Sequence, residues 1–129
     1  MSLKDSLRMM VVDDMTISRS LIEQALDEIG IKFVTTERDP KAALGKLVAQ
    51  PVHLVLSDMN MPGMSGLDLL QALRQNRSTQ RIGFILITGT PSQDILRRGQ
   101  ELGANNFIKK PFTTATLRGA IEGVVGKLS

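Results

Sequence analysis

Cysteine is absent from this chain, and histidine occurs once, at position 53. The first absence removes disulfide scaffolds, thiolate catalysis and cysteine-held zinc or iron–sulfur sites. The second removes a histidine-rich metal centre. Tyrosine and tryptophan are missing as well, leaving four phenylalanines, so surfaces on which single-stranded nucleic acid could stack are few. Long apolar runs are also lacking. Phe84–Ile87 is typical, against the roughly 20 residues of a membrane span, and the start MSLKDSLR has no signal-peptide core. A cytoplasmic protein with no membrane insertion is the expectation. Lys and Arg outnumber Asp and Glu, 16 to 13, but the cations are scattered. That argues against nucleic acid and leaves room for acidic protein partners.

What is present suits a folded monomer. The 129 residues are 42% hydrophobic and 22% charged, enough apolar side chain to bury one core and too little chain for two, so residues 1–129 are expected to form a single domain with no appended output domain. Strand-like runs occur at Leu7–Val12, Ile31–Thr35, Val52–Ser57, Ile82–Ile87 and Ala104–Ile108. Helical patterns separate them. Ile17, Leu21, Ile22, Ala25, Leu26 and Ile29 recur at three- and four-residue spacings as one apolar stripe that Gly30 ends. Asp39-Pro40 reads as a cap and first helical residue ahead of Ala43, Leu44, Leu47 and Val48. A third helix runs over about residues 66–76 on Leu67, Leu70 and Leu73. A fourth opens at Thr90-Pro91 and closes at Gly103, and a fifth follows Thr113 on Leu117, Ile121, Val124, Val125 and Leu128, reaching almost to the last residue. Five strand–helix units with short connections predict an α/β fold, an open doubly wound parallel sheet with helices on both faces.

In such sheets functional groups collect beyond the carboxyl ends of the strands. The first strand runs into Asp13-Asp14, the third into Asp58, the fourth into Thr88 and the fifth into Lys109-Lys110-Pro111. The turn after the first strand is VVDDMT, which has no glycine to bring backbone amides to a phosphate and carries two charges that repel one, so dinucleotide and P-loop functions are disfavoured. An EF-hand beginning at Asp58 fails because Pro62 and Leu69 stand where oxygen ligands are needed. If the first and third strands are neighbours, Asp13, Asp14 and Asp58 share one concavity. Unit charges about 5 Å apart repel by roughly 3 kcal/mol per pair at an effective dielectric near 20. Lys110 offers one compensating charge and a hard divalent cation, Mg2+, another, with the Asn60 carbonyl as a further candidate ligand. Such a site suits a phosphoryl group held on a carboxylate, with Asp58 as nucleophile, Lys110 as counter-charge and the Thr88 hydroxyl as donor. Taken singly, each residue has an ordinary explanation: a strand-end Asp is commonly a cap, Lys110 a solvated lysine, Phe107 a core aromatic, His53 a surface group at the opposite sheet end, and Met59, Met61 and Met64 loop packing. The ordered set is what carries information.

Asp-Asp after strand one, DMNMPGMSG at strand three, ITGT at strand four and KPF after strand five resemble the receiver domain of two-component response regulators, in particular its stand-alone CheY-type chemotaxis members. The resemblance spans nearly the whole chain. It implies a flavodoxin-like strand order of 2-1-3-4-5, phosphorylation at Asp58, magnesium at Asp13, Asp14, Asp58 and the Asn60 carbonyl, and Thr88 and Phe107 as switch residues. It implies catalytic roles for Thr88 and Lys110 and a cis Lys110-Pro111 bond. It also implies a histidine kinase as phosphoryl donor and a protein target such as the flagellar motor switch, with a chain that is no enzyme beyond its own phosphorylation and dephosphorylation. Two departures stand out: Ser65 where the family often has Asp, and Phe107 rather than Tyr. A phosphate sink that drains a shared kinase is the rival within this class. From another class, a small Mg-dependent aspartyl phosphatase is the alternative, although such enzymes place the nucleophile after the first strand.

Overall fold

Strict strand–helix alternation requires every connection to cross a sheet face, and the chain does so in regular fashion. The computed structural model describes residues 2–129. Strands β1 (Arg8–Val12), β2 (Phe33–Glu37), β3 (Leu54–Asp58), β4 (Gly83–Thr88) and β5 (Asn106–Lys109) form one parallel sheet in the order β2-β1-β3-β4-β5. Helices α1 (Thr16–Ile29), α2 (Pro40–Ala49), α3 (Gly66–Gln75), α4 (Gln93–Glu101) and α5 (Thr114–Val125) alternate with them. The expected α/β class and strand order are both observed.

Side-chain alternation along the strands divides the core into two layers. Met9, Val11, Leu54, Leu56, Ile85 and Ile87 pack against α1 and α5, while Met10, Val12, Val55, Phe84 and Leu86 pack against α2 and α3. β3 lies at the centre and is buried along its whole length, so Asp58, its last residue, stands at the carboxyl end of the central strand.

Several boundaries differ from the sequence reading, each for a local reason. β2 starts at Phe33 rather than Ile31, because the Ile31 N–H is already bonded to Leu26 O, 3.1 Å, closing the end of α1 behind left-handed Gly30. The cap of α4 is Ser92, whose hydroxyl accepts the Ile95 N–H at 3.1 Å. Thr90-Pro91 belongs instead to the preceding turn. α5 stops at Val125, where Gly126 takes φ +94, and buried Leu128 follows as a folded-back tail whose N–H reaches Glu122 Oε2 at 3.0 Å. In α1 the stripe is narrower than its spacing suggests. Ile22, Ala25, Leu26 and Ile29 are buried, whereas Leu21 and Ile17 are 57% and 77% exposed. At about 100° per residue they sit roughly 100° and 140° around the helix from Ile22.

Candidate functional site

The strand order brings the carboxyl ends of β1, β3 and β4 side by side, with Val12 beside Ser57, Asp58 beside Ile87 and, on the next pair, Thr88 beside Lys109. The sequence-predicted acidic residues therefore meet. Carboxylate oxygens of Asp13, Asp14 and Asp58 lie within 4.8 Å of one another. Asp13 is fully buried and Asp58 nearly so.

The three carboxylates are not equivalent. Asp13 is engaged on both oxygens: Oδ1 accepts the Met15 N–H at 2.9 Å, Oδ2 accepts the Ser18 hydroxyl, and Lys110 Nζ stands 3.7 Å from Oδ2. Asp58 Oδ1 pairs with Lys110 Nζ at 2.8 Å. Burial nevertheless raises the Asp58 carboxyl above its ordinary range; Lys110 opposes this, and the neighbouring charges of Asp13 and Asp14 add to it. Asp14 has an oxygen, Oδ1, that is buried and has no hydrogen-bond partner. A buried carboxylate oxygen without a donor is costly, and a cation would satisfy it. The donor set fits Mg2+: hard oxygens from a few carboxylates, with space left for water or phosphate oxygens. Asn60 is exposed in the β3–α3 loop, two residues beyond Asp58.

Lys110 is held as much by its neighbours as by Asp58. Its N–H bonds to Thr88 O at 2.9 Å, the bond to Pro111 is cis, and Nζ donates to Ser18 Oγ at 2.9 Å. Ser18 thus links the cation to Asp13, and Arg19 Nη1 holds the Asp13 carbonyl at 2.9 Å. Sequence reasoning missed both. Ser18 lies one helical turn past Asp14, the spacing that returns a side chain toward a strand end, and that was the available signal.

The loop after Asp58 is fastened from both sides. Met59 N–H bonds to Ile87 O and Gly66 N–H to Met59 O, each at 2.9 Å. A methyl group on Gly66 would stand 2.5 Å from Asp58 O, so the start of α3 can press against the acidic strand end only without a Cβ. Ser65, in the family's usual Asp position, caps α3 by accepting the Asp68 N–H at 3.1 Å while Asp68 accepts the Ser65 N–H at 3.0 Å. Met61 is buried, and Met59 and Met64 pack at the edge of the core. His53 lies at the other end of β3, where Nδ1 accepts the Arg8 N–H at 2.9 Å.

Thr88 is buried, and its hydroxyl accepts the Thr90 N–H at 3.1 Å rather than reaching Asp58. Phe107 pairs with Leu86 on β4, two residues before Thr88, so ring and hydroxyl project from one face of the sheet. The ring is partly buried against the same core layer as Ile95, Leu102 and Ala104.

This arrangement defines a class. The response regulator receiver domain family matches residues 9–122, and the chain belongs to it. It is a phosphorylation-dependent regulator of the CheY type, a signalling protein rather than an enzyme. Among individual proteins, it is 40% identical over 128 residues to a probable chemotaxis protein CheY of Rhizobium etli, covering 99% of each chain. It is 29% identical to chemotaxis protein CheY-3 of Vibrio cholerae over 98% of this chain and 97% of that one. The solved structure of Vibrio cholerae CheY4 superposes with a TM-score of 0.85 at 27% identity, covering 92% of this chain and 98% of that one. A receiver domain from a Pseudomonas aeruginosa PAO1 sensor histidine kinase, solved with magnesium in its active-site cleft, shares the fold with a TM-score of 0.84 at 23% identity, covering 94% of this chain and 98% of that one.

Proposed function

We propose that Asp58 accepts a phosphoryl group from the phosphohistidine of a CheA-like kinase, and that the modified protein acts in trans in the cytoplasm on a protein target such as the flagellar motor switch. The observation that carries this reading is the division of labour among the carboxylates: Asp58 faces Lys110, Asp13 is fully engaged, and Asp14 keeps a buried oxygen free. Similarity to chemotaxis proteins along nearly the full chain supports the motor target.

Asp58 Oδ attacks phosphorus as the P–N bond to the donor histidine breaks, and the imidazole leaves with the bonding electrons. The product is an acyl phosphate. Asp13, Asp14, Asp58 and the Asn60 carbonyl would hold Mg2+, which would supply positive charge to the transferring oxygens. Lys110, already 2.8 Å from Asp58, pairs with the phosphoryl group and needs little reorganisation to do so. The Thr88 hydroxyl exchanges the Thr90 N–H for a phosphoryl oxygen, and Phe107 moves with it. Phosphate then acts as a covalent ligand that shifts a two-state equilibrium by its different contacts in the two states. For the donor, exposed Met15, Ile17 and Leu21 stand beside a hollow of about 790 Å3 that is also lined by Lys110, Pro111 and Phe112. This apolar surface next to the acceptor suits a docking helix of the kinase.

Incubation with acetyl phosphate and Mg2+, followed by intact mass, tests the acceptor. A gain of about 80 Da that disappears in Asp58→Asn is expected for acyl phosphate chemistry. An unchanged wild-type mass overturns the assignment.

A further inference from the structure

Among the five α-helices, α4 has the fewest buried residues. Its sequence QDILRRGQE is polar, and Gly99 is its one buried residue. The ring of Phe107 is what covers Gly99. A methyl group on Gly99 would stand 2.6 Å from Cε1 and 2.8 Å from Cζ of that ring, well inside the roughly 3.5–4.0 Å at which carbon atoms rest. Glycine within a helix is less stable than alanine, so α4 carries it here at a cost, in the one place where a Cβ would strike the ring. The same ring shares a sheet face with Thr88, whose hydroxyl accepts the Thr90 N–H.

We propose that Gly99 is a positioning residue for the switch: its missing Cβ forms the seat in which the Phe107 ring rests under α4 in the unphosphorylated protein. When Thr88 turns to the acyl phosphate, the ring leaves that seat and α4 loses the contact over its one buried residue. The seat therefore stabilises the unphosphorylated arrangement and restrains the response. This inference rests on the reading of Asp58 as acceptor.

The full chain labelled with fluorophenylalanine gives four fluorine signals, one per Phe, and Phe107→Leu assigns the relevant one. In the unmodified protein, Gly99→Ala is expected to move the Phe107 signal, whereas Gly119→Ala on α5, where a methyl group meets open space, leaves it in place. Beryllofluoride with Mg2+, a mimic of the acyl phosphate, is expected to half-saturate Gly99→Ala at a concentration at least threefold lower than wild type. A signal that stays put, or binding that is equal or weaker, overturns the proposal. Should Gly99→Ala not fold, the Phe107→Ala background decides. With the ring removed, alanine at 99 raises the melting temperature; a decrease there overturns the seat. Intact mass after acetyl phosphate separates the two readings. A wild type that gains no mass refutes the acceptor, whereas an unmoved Phe107 signal in a protein that phosphorylates normally refutes the seat alone.

Discussion

Asp58 shows how one residue serves chemistry at the expense of stability. Burial raises its carboxyl above the ordinary carboxylate range, so between its unfolded and folded pKa the native state binds more protons than the unfolded chain, and stability falls as pH rises through that window. At neutral pH the ionised group is a standing cost. Asp58→Asn is therefore expected to melt at a higher temperature than wild type at pH 7, with an advantage that shrinks toward acid as wild-type Asp58 takes up its proton; melting curves across pH check this, and a constant advantage contradicts it. Ser18 makes the opposite contribution. Its hydroxyl joins Lys110 Nζ to Asp13 Oδ2, and Ser18→Ala removes a donor from a buried carboxylate at a cost of about 1–2 kcal/mol. Because Lys110 also loses a tether, phosphorylation from acetyl phosphate should slow several-fold, as followed by intact mass. Ser18 was hidden in the sequence because a serine early in a helix has an ordinary reading as a cap, whereas Asp13, Asp14, Asp58, Thr88 and Lys110 were legible as polar residues that follow four of the five apolar runs.

At the scale of elements, two glycines on neighbouring helices should answer alanine in opposite ways. Gly45 in α2 has nothing within 4 Å of its would-be Cβ, whereas at Gly66 the added carbon meets Asp58 O at 2.5 Å and Leu86 Cδ1 at 2.6 Å. Gly45→Ala is expected to stabilise by about 1 kcal/mol through helix propensity. Gly66→Ala should cost about 3 kcal/mol, at the upper end for overpacking, since a backbone carbonyl cannot swing aside. Denaturant midpoints measure both, and the latter variant should also phosphorylate poorly. The same contrast explains what periodicity could and could not show. It located all five helices and five strands, since burial on two faces leaves a strong pattern. It overextended the α1 stripe because Ile17 and Leu21 satisfy the spacing rule yet fall outside the narrow arc that the sheet covers. It placed the cap of α4 two residues early because Thr90 and Ser92 are chemically equivalent candidates, and only the Thr88–Thr90 turn decides between them.

For the whole molecule, the acidic concavity is an electrostatic debt that the fold alone leaves unsettled. Lys110 offsets Asp58 directly and Asp13 at longer range, but Asp14 Oδ1 is buried with no partner. A cation that binds the folded chain and not the unfolded one stabilises it by RT ln(1 + [L]/Kd), about 2.7 kcal/mol when its concentration is a hundred times the dissociation constant. Adding Mg2+ should therefore raise the melting temperature of wild type in a saturable way, and a chelator should reverse the rise. Asp14→Ala removes both the unpartnered oxygen and part of the repulsion. That variant should start at or above the metal-free wild type in stability and gain far less from Mg2+. Calorimetric scans of the two proteins with and without the ion distinguish this from a general salt effect, because screening by Mg2+ would lift both melting temperatures alike. Equal gains would mean that the cluster does not hold the ion through Asp14.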